Sequence, residues 1–191
     1  MDALEKKKNS PNIAKLALVL FAVTAITALV LGLVNDVTKD RIAALAVEKT
    51  KTAYANVLKA DSYAKIDDAY TNDGTITKLS AAKDASGTAV GYVAETTFSG
   101  AQGMVTMVVG LNADKACTGI YVTKSSETSG LGAKASETSP GAWRDNLVGA
   151  TDGVALAKDG GTVEAISGAT ITSRACTKEV QTVITAVSSL G

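Results

Sequence analysis

Leu16-Ala17-Leu18-Val19-Leu20-Phe21-Ala22-Val23-Thr24-Ala25-Ile26-Thr27-Ala28-Leu29-Val30-Leu31-Gly32-Leu33-Val34 carries no charge, and its only polar interruptions are Thr24 and Thr27. At about 1.5 Å of rise per residue, a helix over this run reaches about 30 Å, the thickness of a bilayer's hydrocarbon core. A helix buried in a globular core would show a polar face, which this one lacks. The apolar region of a secretory signal is shorter, about 7–15 residues. The stretch therefore reads as a retained membrane span. Lys6-Lys7-Lys8 and Lys15 precede it, whereas Lys39 and Arg41 beyond it are interleaved with Asp36 and Asp40. The positive-inside rule counts Lys and Arg and places the N-terminus in the cytoplasm. The expected organisation is a cytoplasmic tail over 1–12, a transmembrane helix over 13–34, a helical stalk over 35–60 and an extracytoplasmic domain over 61–191.

Outward from the span, composition narrows the function. The 191 residues allow one ordinary domain besides the anchor. Lys and Arg total 19 and Asp and Glu total 19, so no strong field attracts nucleic acid. Histidine is absent, which removes the commonest ligand of zinc, copper and haem and the usual base near neutral pH. Cys117 and Cys176 lie far apart and fit no CxxC pair or cluster site; they read as ordinary buried thiols, with a disulfide between them as the alternative.

Residues 36–58, rich in Ala, Glu and Lys, predict a helix continuing out of the membrane, with Ile42, Leu45, Lys49, Thr52 and Tyr54 spread around it, either a stalk or a face that docks on the domain or a neighbour. Asn72-Asp73-Gly74 and Ser86-Gly87 are turn signals. Strand-like runs over 75–79, 89–97, 104–111 and 116–123 are rich in Val, Ile, Thr and Tyr, and Asn112-Ala113-Asp114-Lys115 suits a hairpin between the last two. A final helix over 172–190 places Cys176, Val180, Val183, Ile184, Val187 and Leu190 on one face. The fold class is α+β, a small antiparallel sheet with helices packed on it. Ser126-Glu127-Thr128-Ser129 recurs as Ser136-Glu137-Thr138-Ser139, but only the first copy continues into Gly130-Leu131-Gly132. A repeat this short reads as loop composition.

Glu164-Ala165-Ile166-Ser167-Gly168-Ala169-Thr170-Ile171-Thr172-Ser173-Arg174 precedes the last helix. Small residues and hydroxyls there suit a helix cap. They also suit a phosphate: Gly168 and Ala169 allow close approach, first-turn amides point outward, and the helix dipole favours an anion. Both readings stand on the residues alone.

Ser167-Gly168-Ala169-Thr170 resembles the flavinylation motif of the FMN-binding domain family. There an Asp is separated by two residues from Ser/Thr-Gly-Ala-Thr/Ser, whose last hydroxyl is joined to the phosphate of FMN. Glu164 stands where the family usually has Asp. Ser99-Gly100-Ala101-Gln102-Gly103 resembles the family's glycine-rich turn. Glu127-Thr128-Ser129-Gly130-Leu131-Gly132 is similar to its Glu-Thr-Pro-Gly-Leu-Gly loop, with Ser129 for proline and Ser125 where a histidine is common. Trp143 falls in the aromatic-containing segment that follows. Tail, span, stalk and domain together resemble the G-subunit family of the Rnf ion-translocating electron transport complexes; the related C subunit of the sodium-pumping NADH:quinone reductase is usually longer.

The resemblance implies covalent FMN on Thr170, with Ser167, Gly168, Ala169 and Thr172 around the attachment and Glu127, Thr128, Gly130, Leu131 and Gly132 as the wall beside the flavin ring. Trp143 either stacks on the flavin or belongs to the core. Lys134 and Arg174 either neutralise phosphate or are solvated surface. It further implies a redox subunit without a complete active site of its own, in a complex that couples ferredoxin/NAD electron transfer to sodium or proton translocation. Its partners would be polytopic membrane subunits and a second flavin-carrying subunit, with a flavin transferase for maturation. The absence of a GxGxxG fingerprint agrees with a subunit that does not bind NAD itself. A free-standing extracytoplasmic FMN-dependent reductase and a non-catalytic domain on a membrane stalk remain alternatives.

Overall fold

The computed structural model describes residues 13–67, 70–71 and 73–190. The Lys6-Lys7-Lys8 cluster, the tail over 1–12 and Asn72 of the expected 72–74 turn lie outside the described residues. Helix α1 spans Ile13–Val57. Strands β1 (Ser62–Lys65), β2 (Ile76–Lys83), β3 (Ala89–Ser99), β4 (Met104–Asn112) and β5 (Cys117–Lys124) follow, and helix α2 (Thr170–Ser188) closes the chain. Short 3-10 turns occupy Gly132–Ser136, Trp143–Leu147 and Ala157–Asp159. The class is α+β, as the residue patterns predict.

The chain divides into two compact units, residues 1–47 and 48–191. In the first, α1 is long and apolar enough to cross a membrane, and its most apolar window is not buried against protein. The hydroxyls of its two threonines are satisfied within the helix. Thr24 donates to the carbonyls of Leu20 and Phe21 (3.0 and 2.9 Å), and Thr27 donates to that of Val23 (2.8 Å). Such back-bonding lets hydroxyls reside on an apolar helix.

The second unit is built on a five-stranded antiparallel meander in the order β1-β2-β3-β4-β5. All four expected strands extend past their predicted C-terminal ends, and the first, expected over 75–79, runs on to Lys83. Strand β1 has no counterpart among the expected runs. It is a short edge strand whose Tyr63 and Ala64 are only half-buried, so its residues carry little of the alternation that marks a strand.

Alternation on the inner strands sends side chains to two faces. On one, Ala94 and Phe98 of β3 join Val105, Met107, Val109 and Leu111 of β4 beneath α2. Cys176, Val180, Val183, Ile184 and Val187 of α2 are buried there, as their helical spacing predicts, and Leu190 packs at the margin. Burying one such Val or Ile side chain stabilises the fold by about 1.5–3 kcal/mol. Cys117 and Cys176 are free thiols in this core, and burial pushes them up to about 11 and about 12.

The opposite face carries Ala82, Val93 and Val108 and is covered by Ala53, Tyr54 and Val57 from the end of α1. Gly110 makes room for that contact: a β-carbon there would fall 2.9 Å from Val57 Cβ. Thr118 donates to the Val57 carbonyl (2.5 Å), and Tyr54 donates to Glu95 Oε1 (2.6 Å) while its ring meets Tyr63 edge-on. The last turns of the expected stalk are thus part of the folded domain, whereas Ile42 and Leu45 are exposed.

Tyr54→Ala is accordingly expected to lower the domain's stability by about 3–5 kcal/mol. Ile42→Ala, on the exposed part of α1, should stay within about 0.5 kcal/mol. Denaturant titration of the purified chain in detergent measures both.

Candidate functional site

Three segments distant in sequence meet at the start of α2. The first is the tip of the β3–β4 hairpin, where the Gly100 amide donates to the Gly103 carbonyl (2.8 Å) and closes the turn that follows Ser99. The second is the loop over 127–132 that leaves β5. There the amides of Leu131 and Ala133 both donate to the Thr128 carbonyl (3.1 and 3.2 Å). The third is the motif over 164–174, whose residues from Thr170 onward are the first turn of α2.

The carboxylate of Glu127 lies among them. Oε2 accepts the hydroxyl of Thr172 (2.5 Å), and Oε1 accepts the backbone amide of Gln102 (3.0 Å). The positive end of α2 favours a negative charge at that place. Two glycines make room for it. A β-carbon at Gly100 would fall 2.3 Å from Oε1, and one at Gly132 would fall 2.3 Å from Oε2 and 2.7 Å from Thr172 Oγ1.

The helix start itself is built from the inside. Ser173 Oγ accepts the Ile166 amide (2.9 Å) and donates to the Ala169 carbonyl (3.0 Å), so a buried hydroxyl holds the turn that precedes the helix. No side chain caps the outer end of α2. The Ser173 amide is the first to bond back into the helix, to the Ala169 carbonyl (3.0 Å). The amides of Thr170, Ile171 and Thr172 therefore remain available to an outside acceptor. Gly168 has φ +75°, a left-handed conformation that glycine adopts without a steric penalty. Leu131 reaches over it: a β-carbon at Gly168 would fall 3.0 Å from Leu131 Cδ2.

The two threonines of the motif differ sharply. Thr172 is buried and its hydroxyl is committed to Glu127. Thr170 is half-buried at the first helical position, and its hydroxyl has no hydrogen-bond partner among the described residues. Ser167 and Gly168 are exposed beside it, while Ala169 is buried. The structure thus brings together Ser167, Gly168, Ala169, Thr170, Thr172, Glu127, Leu131 and Gly132. Thr128 and Gly130 lie on the outer side of the same loop, exposed, with Gly130 at φ +76°.

Neighbouring groups have other partners. The Trp143 indole N–H donates to the Glu164 carbonyl (2.6 Å) and its ring packs at the edge of the core, tying down the chain that enters the motif. Arg174 is held by both oxygens of Asp159 (2.7 and 2.8 Å), and that bond keeps the Asp159 carboxyl below the usual carboxylate range. Lys134 is exposed in the turn after the loop. Ser173 and the Gln102 amide escape sequence reasoning. A serine on an apolar face and a backbone amide carry no signal until the elements are assembled.

An anion with an ester-forming phosphate fits this arrangement. Three open amides and the dipole would meet its charge, the hydroxyl of Thr170 is unengaged, and Gly168 leaves the approach clear. Comparisons with known proteins point to a ligand that carries a phosphate, FMN. The FMN-binding domain family matches residues 100–185, and the RnfG N-terminal region matches residues 1–57. The chain is 35% identical over 187 residues to the G subunit of the ion-translocating oxidoreductase complex of Methanosarcina acetivorans, covering 94% of this chain and 97% of that protein. It is 34% identical over 184 residues to the G subunit of the Na(+)-translocating ferredoxin:NAD(+) oxidoreductase complex of Acetobacterium woodii, covering 87% of each. The G subunit of the ion-translocating oxidoreductase complex of Cereibacter sphaeroides is 34% identical over 180 residues, covering 88% of this chain and 80% of that protein.

Gly168→Ala should cost about 1–2 kcal/mol, the penalty for a β-carbon in a left-handed conformation. Ser167→Ala, exposed next to it, should stay within about 0.5 kcal/mol. Thermal unfolding of the two variants in parallel separates backbone strain from loss of a surface hydroxyl.

Proposed function

Given that the chain belongs to the G-subunit family of ion-translocating oxidoreductase complexes, with an FMN-binding domain after its apolar helix, we propose that it is the flavin-carrying electron-transfer subunit of such a complex. The complex couples electron transfer between ferredoxin and NAD to the movement of sodium ions or protons. FMN is esterified through its phosphate to Thr170 Oγ1. Helix α1 crosses the membrane once, with the N-terminus in the cytoplasm and the domain outside.

The observation that carries the attachment is the contrast between the free hydroxyl of Thr170 and the committed one of Thr172. Attachment forms one phosphorus–oxygen bond from Thr170 Oγ1 and breaks the diphosphate bridge of a flavin dinucleotide presented by a flavin transferase; the threonine proton is released and the nucleoside monophosphate leaves. The amides of the first turn of α2 hold the phosphate oxygens. Leu131, over Gly168, offers an apolar surface to the ring, and Thr128 and Gly130 extend that wall. Glu164 precedes the motif with its side chain in solvent, where the transferase can read it. Bound in this way, FMN supplies reversible uptake and release of electrons. An ester through the phosphate leaves the ring unencumbered and prevents loss of the group by dilution outside the cell. The chain relays electrons to and from other membrane subunits, including polytopic ones and a second flavin-carrying subunit, and does not bind ferredoxin or NAD itself.

In a denaturing gel the chain should fluoresce as a flavoprotein, and Thr170→Ala should abolish the signal while Thr172→Ala retains a band. A band surviving Thr170→Ala would move the bond to another residue. Co-purification with polytopic subunits checks membership in a complex, and isolation of the chain alone in mild detergent would favour a free-standing reductase.

Orientation has its own measurement. External protease on spheroplasts should digest the domain and leave a membrane-protected N-terminal stub. Full resistance that disappears with detergent would reverse the topology.

A further inference from the structure

We propose that Glu127 is the positioning residue of the flavin site, its carboxylate locking the 100–103 turn, the 127–132 loop and the first turn of α2 into one rigid cradle. The inference rests on the flavin reading given above but concerns how the site keeps its shape. Glu127 belongs to the loop, yet its side chain folds beneath that loop and bonds to the other two segments. The hydroxyl it takes belongs to Thr172, two residues from the attachment hydroxyl and on the same helical turn. The amide it takes, from Gln102, belongs to a hairpin tip that has no other described bond to the loop or to α2. Gly100 and Gly132 both keep the space that its two oxygens fill. Bonds from neutral donors to a carboxylate are stronger and shorter than neutral pairs, which suits one group holding two segments. With the carboxylate in place, Leu131 stays over Gly168, and the distance between the ring-facing loop and the phosphate-bearing turn cannot vary freely. The second Ser-Glu-Thr-Ser copy supplies a control, because Glu137 is exposed and makes no such bonds.

The test uses the full chain in detergent with flavin attached, comparing Glu127→Ala, Thr172→Val, the double variant, Thr172→Ser and Glu137→Ala. Flavin content is read by mass, ring mobility by fluorescence anisotropy, and the midpoint potential by redox titration. Glu127→Ala and Thr172→Val should each lower the anisotropy and move the potential in the same direction, toward that of free FMN. The double variant should shift no further than the larger single one. Thr172→Ser should restore wild-type values, and Glu137→Ala should leave them unchanged. Unaltered anisotropy and potential, with only a lower melting temperature, would overturn the proposal by reducing Glu127 to a structural anchor. Additive shifts would overturn it too, since the two groups would then act separately. If mass analysis finds no FMN on the wild-type chain, the flavin reading fails. Hydrogen exchange then decides the cradle: Thr172→Val should deprotect the amides of 100–103, and unchanged protection there would refute it.

Discussion

A twisted antiparallel sheet whose strands are apolar on both sides cannot stand in water with either side bare, and the whole domain is organised around covering the two faces. Helix α2 and the loops before it cover one. The end of α1 covers the other, with Tyr54 and Val57 buried on it and Gly110 leaving room for Val57. Removing apolar area from water stabilises by roughly 25 cal/mol per Å², so neither cover is dispensable for a sheet of this size. The helix that carries the long apolar run is for this reason also an element of the domain's second core.

Covering the first face sets the position of the candidate site. The apolar stripe of α2 decides where that helix lies on the sheet, and its N-terminus emerges at the rim, beside the β3–β4 hairpin tip and the loop after β5. The same burial that holds Val180 and Ile184 therefore delivers Thr170 to the surface with three amides open. Ser173, on the buried side of the helix, closes the inner half of the turn and leaves the outer half free. A helix start capped by its own first side chain would offer fewer amides to an anion.

Charge around the site follows from the same placement. Arg174 is paired with Asp159, so the helix end supplies positive potential beside Thr170 without drawing on that guanidinium. Glu127 sits beneath that end with its oxygens occupied by one hydroxyl and one amide. The buried thiols are pushed far above the physiological range by burial and take no part. The hydroxyl of Thr170 stands unengaged at the rim.

Much of this was legible in the residues. The uncharged run over 16–34, the α2 stripe, the four longer strands and the Ser167-Gly168-Ala169-Thr170 motif all depend on local periodicity or on a contiguous signature, which a sequence displays directly. Strand β1 was not legible, because a half-buried edge strand need not alternate. Nor was the seat of Tyr54 on the sheet, since the partners Glu95 and Val108 lie far along the chain and pattern alone cannot say which face a helix end will cover. The motif's resemblance already set Thr170 apart from Thr172 as the attachment residue. Only the tertiary structure shows how their hydroxyls differ in engagement, because the difference is a hydrogen bond spanning 45 positions. Residues two apart on a helix point about 200° apart, so one faced the carboxylate in the interior and the other was left to solvent.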